Sequence, residues 1–212
     1  MIKELSKSVL RRLPGYLDYL KAMPEDAPVN ISATSLAAAL GMGEVQVRKD
    51  LALVSDGGRP KVGYNRQRLI RDIELSLGYD NTNDAVLVGS GRLGRALLGY
   101  NGFAEYGLNI LCGFDTDSDL IGVTKTGKII RPISELEAFC KDRNVLMGII
   151  TVPAENAQEI CNQMIACGIR AIWNFAPVHL DVPSGVLVQN ENMATSLAVL
   201  SKHLSAQIKT EK

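Results

Sequence analysis

Three observations predict the fold class of this 212-residue chain: a glycine-rich turn between an apolar strand and a helix, the strand and helix alternation that follows it, and a small-residue helix, glycine turn and basic helix that precede it. Together they describe an α/β Rossmann fold, a doubly wound and mostly parallel sheet, preceded by a winged helix-turn-helix. The length suits two domains, and 46% apolar residues suffice for a core in each. The expected division is a helix-turn-helix domain over 1–80, a Rossmann domain over 84–191 and a dimerisation helix over 192–212.

In the first half, Leu5 to Met23 carries Val9, Leu13, Leu17 and Leu20 at helical spacing, with Pro14 expected in the first turn of a new helix after a break. Ile31 to Leu40 follows, with Ser32 as its N-cap and alanines that permit close packing. Gly41-Met42-Gly43 turns the chain. The next helix, Glu44 to Val54, buries Val47, Leu51 and Val54 and leaves Gln46, Arg48 and Lys49 outside, so it can enter a major groove. Gly57 to Tyr64 is a glycine-flanked basic ribbon containing Arg59 and Lys61, which reads as a wing. A plain three-helix bundle with a polar surface is the alternative, but a basic hairpin has no core to serve, whereas phosphates or a minor groove give it a partner. Leu69 to Leu77 reads as a closing helix, and the polar stretch Asp80 to Asp84 marks the domain boundary.

Charge supports the division. The formal net charge is zero, yet residues 1–75 carry 12 Lys/Arg against 9 Asp/Glu and residues 76–212 carry 11 against 14. A basic first half is compatible with phosphate contact. The DNA-contacting set is Gln46, Arg48, Lys49, Arg59 and Lys61, with Arg11 and Arg12 from the first helix.

In the second half, the apolar run Ala85 to Val88 enters Gly89-Ser90-Gly91-Arg92-Leu93-Gly94, a helix follows, and a second strand from Ile110 ends on Asp115. The dinucleotide fold needs each part: Gly89 to turn, Gly91 to let the pyrophosphate approach the backbone, and Gly94 to let helix pack on strand. Asp115 stands where a carboxylate accepts hydrogen bonds from the adenosine ribose and repels the extra phosphate of NADP. A turn or cap role for Asp115 is the alternative, and Arg92 and Arg95 are phosphate partners or plain surface. Further strands are expected at Leu146 to Val152, Ile169 to Phe175 and Val186 to Val188, with a helix from Ala154 to Cys167. The loops at Val152-Pro153 and Asn174-Phe175-Ala176 then lie at the sheet edge where a nicotinamide would rest. Met193, Leu197, Leu200, Leu204 and Ile208 form a stripe on a terminal helix, which in a monomer could cover the sheet and is also a natural dimerisation element.

Other chemistries have little support. Cys112, Cys140, Cys161 and Cys167 lack metal or redox spacing and read as core residues. His179 and His203 pair with no nucleophile by any catalytic spacing. No apolar run approaches the roughly 20 residues of a membrane span, and the opening residues form no secretory signal, so a cytoplasmic location is expected. A dehydrogenase needs a general acid or base and a substrate domain, and neither is visible.

With these residues in view, the chain resembles the Rex family of bacterial redox-sensing transcriptional repressors over nearly its whole length. The likeness rests on Gln46-Val47-Arg48-Lys49-Asp50-Leu51, Val62-Gly63-Tyr64, the cofactor loop through Leu97, Gly102-Phe103, Phe114-Asp115, Thr151 to Gln158 and Asn174 to Val178. Two stretches depart from the family pattern, the wing from Val54 to Lys61 and Asn192-Met193 at the last helix. The resemblance implies a homodimer that holds an inverted-repeat operator when NAD+ dominates and releases it when NADH binds. It also implies Tyr100 near the nicotinamide and a last helix exchanged between subunits. NAD(H) is then a signal, with no substrate. The CoA-binding domain of succinyl-CoA synthetases shares the glycine loop, Thr151-Val152-Pro153 and Asn174-Phe175, but Asp115 favours a free ribose diol over the 3′-phosphate of CoA.

Overall fold

The computed structural model describes residues 5–80 and 83–210, so Asn81 and Thr82 of the polar boundary stretch lie outside the described residues. The chain divides into two compact units, 1–81 and 82–212.

In the first unit, α1 (Lys7–Ala22) starts on Ser6 and runs straight through Pro14, so the expected break is absent. Proline removes one N–H, the partner of the carbonyl four residues back. That carbonyl belongs to Leu10, on an exposed side of the helix where water can serve it. Leu13, Tyr16, Leu17 and Leu20 are fully buried on both sides of the proline and hold one continuous helix. The short strand β1 (Asn30–Ile31) leads into α2 (Ala33–Leu40), whose first turn is capped by the Ser32 hydroxyl accepting from Ser35 N–H at 3.0 Å. Gly41 ends α2 in the left-handed region, and α3 (Glu44–Val54) follows. A single bridge between Arg59 and Gly63 closes the basic ribbon, and β2 (Tyr64–Asn65) returns to pair antiparallel with β1. Then α4 (Arg66–Leu77) begins a turn earlier than expected, because the Asn65 side chain caps Arg68 N–H at 3.0 Å.

The second unit is built on seven strands: β3 (Asn83–Val88), β4 (Leu108–Asp115), β5 (Gly122–Val123), β6 (Ile129–Pro132), β7 (Met147–Ile150), β8 (Ala171–Asn174) and β9 (Leu187–Asn190). Their order across the sheet is β5-β6-β4-β3-β7-β8-β9, and every pairing is parallel except β5 with β6. The helices are α5 (Arg92–Leu98), α6 (Leu136–Arg143), α7 (Ala154–Ala166) and α8 (Met193–Thr210). Strand β3 shows why both faces need helices: Ala85 and Leu87 join Leu98 on one face, while Val86 and Val88 join Leu136, Ile160 and Met164 on the other. All four cysteines are free and buried, and burial pushes the Cys112 thiol up to about 11 and Cys140 to about 12. They are inert core residues.

The last helix differs from the rest. Leu197, Leu200, Leu204 and Ile208 of α8 are 50–65% exposed, so its apolar stripe covers no core of its own unit. The side chain of Met193 lies outside the described residues. Among the described residues no helix is long and apolar enough to cross a membrane, and no cluster of His, Cys, Asp and Glu could hold a metal ion.

Candidate functional site

Strand order runs outward from β3 in both directions, which makes its carboxyl end a topological switch point. A cavity of about 890 Å³ opens there, walled by Gly89, Gly91, Asp115, Val152 and Pro153 from the loops and by Asn156, Glu159 and Gln163 from α7. That volume is in the range of small-ligand and cofactor sites.

The glycines of the loop serve different ends. Gly89 has φ +98°, and a Cβ there would stand 2.8 Å from Val152 N. At Gly94 a Cβ would fall 2.0 Å from the Gly89 carbonyl and 2.9 Å from Thr151 Oγ1, so any side chain would force α5 off β3. Thr151 Oγ1 in turn donates to the Gly89 carbonyl at 2.6 Å and ties the loop to the end of β7. Gly91 is unlike both: a Cβ there meets nothing within 4 Å beyond its chain neighbours, and its φ of −65° lies outside the left-handed region. Among the described residues, no atom beyond the chain neighbours crowds a side chain at 91. The space it leaves is part of the cavity, at the start of α5, where the first N–H groups of a helix lack intrahelical acceptors and favour an anion.

Asp115 faces the same cavity and already acts within the protein. Its Oδ2 accepts from Ser90 N–H at 2.5 Å and its Oδ1 from Asp117 N–H at 3.0 Å. This cap role leaves each carboxylate oxygen a second lone pair. Asp117 and Glu159 also line the cavity, which makes this end of it acidic.

Other expected cofactor residues bond within the protein or stand outside the walls of this cavity. Ser90 is fully buried, its N–H belongs to Asp115 and its hydroxyl faces the Phe114 carbonyl at 3.5 Å, so it fixes the loop and offers no free group. Arg92 and Leu93 are the first residues of α5, with exposed side chains outside the walls of the cavity, so the groups they can offer a ligand there are the N–H groups of that first turn. The buried Asn174 amide donates to the carbonyls of Ala176 (3.2 Å) and Val178 (3.0 Å) and to Asn190 Oδ1 (2.8 Å), while its oxygen accepts from Ala176 N–H (3.0 Å). Asn174 therefore stitches its loop together. Ala176 lines a separate hollow of about 220 Å³ with His179 and Glu191. Tyr100 and Phe175 stand at the two ends of an aromatic chain: Tyr100 against Phe103 (4.9 Å), Phe103 against Trp173 (5.6 Å) and Trp173 against Phe175 (4.8 Å). Trp173 Nε1 donates to Glu191 just before α8, at 2.9 Å.

In the first unit, Gln46, Arg48 and Lys49 are exposed on α3, Arg59 and Lys61 on the ribbon, and Arg11 on α1. Arg48 pairs with Glu44 one turn back. Lys61 occupies the left-handed region with φ 64°, following Pro60 in a tight turn. Gly63 is pressed against β1, where a Cβ would stand 2.3 Å from the Ile31 carbonyl, and so anchors the ribbon to the sheet. Arg12, also expected to contact DNA, turns inward and grips Asp50 with Nε to Oδ2 at 2.6 Å and Nη2 to Oδ1 at 2.9 Å. Asp50, 1% exposed, escaped the sequence reading as a functional residue, although it falls beside the Val47, Leu51, Val54 stripe. Burial alone would raise its carboxyl, but hydrogen bonds from Arg12, Tyr16 and Gln46 outweigh burial and hold it below the ordinary range. Asn156, Glu159 and Gln163 were also missed, because nothing in a helical sequence marks which face borders a distant loop.

A helix-turn-helix unit joined to a dinucleotide-type cavity defines a ligand-responsive transcription regulator. Residues 4–52 match the family model "Putative DNA-binding protein N-terminus", and residues 80–178 match "CoA binding domain". The chain is 38% identical to the redox-sensing transcriptional repressor Rex of Porphyromonas gingivalis over 96% of its length and 93% of that protein. It is 40% identical to the repressor of the same name from Treponema denticola, over 90% and 91% of the two chains. Among solved structures, RSP in complex with NAD+ and operator DNA matches with a TM-score of 0.88 at 31% identity, over 99% of this chain and 96% of that one. RSP in complex with NADH matches with a TM-score of 0.86, also at 31% identity, over 98% and 99%. The chain belongs to the Rex family of redox-sensing transcriptional repressors. Its relatives are repressors, which removes the dehydrogenase alternative.

Proposed function

We propose that this chain is a redox sensor: a homodimer that binds an inverted-repeat operator through α3 and the ribbon, takes NAD(H) as a signal, and releases DNA when NADH binds. The observation that carries the reading is the open space at Gly91, a position where folding needs no glycine and only a close-lying ligand does. Around that space the start of α5 would take the pyrophosphate and Asp115 the adenosine ribose, with Val152 and Pro153 alongside. Tyr100 and Phe175 would border the nicotinamide. The exposed stripe on α8 supports a dimer, with the helix exchanged between subunits. A repressor acting on the bacterial chromosome works in the cytoplasm.

The match to a CoA-binding model raises a second ligand for the same cavity. Asp115, Asp117 and Glu159 disfavour it, because the 3′-phosphate of CoA, like the 2′-phosphate of NADPH, would meet carboxylates. Differential melting with NADH, NADPH and CoA separates the three. Calorimetric titration of NADH, with and without an operator duplex selected by the protein, tests the sensor itself. Linkage requires DNA to weaken NADH binding by the factor by which NADH weakens DNA binding. Equal NADH affinities in the two titrations would reduce the chain to a DNA-binding protein with a structural cofactor.

A further inference from the structure

The buried carboxylate of Asp50 is fully subscribed. Oδ2 accepts from Arg12 Nε at 2.6 Å and Tyr16 Oη at 2.8 Å, and Oδ1 accepts from Arg12 Nη2 at 2.9 Å and Gln46 Nε2 at 2.8 Å. Four donors match the roughly four acceptor sites of a carboxylate, so Asp50 has none left for DNA. Three of the four bonds serve the packing of α3 on α1. The fourth goes to an exposed side chain near the start of α3, the part of a recognition helix that meets base edges.

That fourth bond fixes the direction of an amide. A carboxylate only accepts, so the NH₂ group of Gln46 must face Asp50 and its Oε1 must face away. One Nε2 proton is used, leaving the second proton and Oε1 side by side. This donor and acceptor pair is complementary to N7 and N6–H of adenine in the major groove. An unrestrained glutamine loses rotamer freedom on binding, whereas one held by a buried, immobile carboxylate arrives ordered.

We propose that Asp50 is a positioning residue for sequence readout: clamped by Arg12 and Tyr16, it presents the Gln46 amide to an adenine in each operator half-site. This rests on the operator-binding reading. Within it, Gln46 reads one base of each half-site.

The test uses the full chain and duplexes selected from a library of randomised inverted repeats, followed by anisotropy titrations in which each A·T pair of a half-site is replaced by G·C. Wild type should lose roughly 5- to 150-fold in affinity at one A·T pair per half-site. Gln46→Ala and Asp50→Asn should each bring that ratio towards one, and Asp50→Asn should add nothing in a Gln46→Ala background. Neither should change the salt dependence of binding to random duplex. Because Asp50→Asn can unsettle the fold by stranding Arg12, the triple variant Arg12→Met, Tyr16→Phe, Asp50→Leu replaces the whole polar cluster by apolar groups, a change that buried ion pairs often tolerate. It too should fold and lose the preference. A wild-type ratio retained by Asp50→Asn or by the triple variant, while Gln46→Ala loses it, overturns the positioning role. So does a Gln46→Ala protein with every base preference intact. Failure of wild type to select any sequence overturns the operator reading beneath it.

Discussion

Replacing Gly91 by alanine separates ligand binding from folding. The added Cβ meets no heavy atom within 4 Å and the backbone has φ −65°, so the folded unit accommodates it. Loss of chain entropy in the unfolded state, roughly 0.4–1 kcal/mol, then offsets any local backbone cost and keeps the melting temperature within roughly 5 °C of wild type. The same methyl occupies the space against which, on the proposed reading, a pyrophosphate would lie. A misfit of one methyl in a packed contact costs roughly 1–3 kcal/mol, which is roughly 5- to 150-fold in Kd. Gly94→Ala is the contrast, because its Cβ would fall 2.0 Å from the Gly89 carbonyl and folding itself must suffer. Melting curves without ligand and calorimetric titration with NADH, run on wild type and both variants, read the two quantities separately. The reasoning fails if Gly91→Ala melts well below wild type, or if it binds NADH as wild type does.

Four further outcomes follow from the same geometry. Asp115→Ala should weaken NADH and narrow the preference against NADPH in paired titrations, and a wild type that binds both alike would contradict the ribose assignment. Lys49→Ala and Arg48→Ala should weaken operator binding with NADH affinity intact, each lowering the salt slope of log K by about one; unchanged DNA binding in both would remove α3 from the interface. Asp50 titrates below its ordinary 3.8 in the folded chain, so its contribution is fully present above that value and is lost as pH falls through the lower folded value. The stability gap between wild type and Asp50→Asn, followed by urea unfolding, should therefore stay constant from pH 7 to 5 and close only in stronger acid. Leu200→Asp with Leu204→Asp should yield monomers in sedimentation, and an intact dimer would place the interface elsewhere.

What the sequence made legible, and what it hid, follows physical lines. Helix α3 could be bounded to the residue because Gly43 and the end of the Val47, Leu51, Val54 stripe punctuate it, and the cofactor loop because glycine spacing is a backbone requirement. Pro14 misled, since its cost depends on whether the orphaned Leu10 carbonyl reaches water, which only the packed helix reveals. Strands β5 and β6 went unseen: two and four residues long at a sheet edge, they bury only Ile130 between them and show no period. The largest gap concerns polar side chains. Arg12 and Asn174 have the composition of ligand contacts, yet both bond inside the protein, because a buried carboxylate 38 residues away and a loop turned back on itself claim their donors first. Residue type announces what a side chain can bond, and the fold decides with whom.

That principle also assigns the signal to one end of the cofactor. Asp115 orders the loop through Ser90 and Asp117 before any ligand arrives, and each of its oxygens keeps a lone pair for a ribose hydroxyl. Such preorganisation serves NAD+ and NADH equally, since their adenosine halves are identical, and equal affinity for two forms shifts no equilibrium between them. Discrimination must arise where the forms differ, at a ring that is cationic in NAD+ and neutral in NADH. On the proposed placement of the ring, Phe175 and the aromatic chain through Trp173 to Tyr100 would desolvate a cation at a cost that the neutral ring escapes. A difference of about 2–3 kcal/mol between the two forms corresponds to a roughly 30- to 150-fold change in coupled affinity. Trp173 also holds Glu191, two residues before α8 begins, so one of the aromatic groups proposed to sense the ring bonds directly to the segment entering the helix proposed to form the dimer.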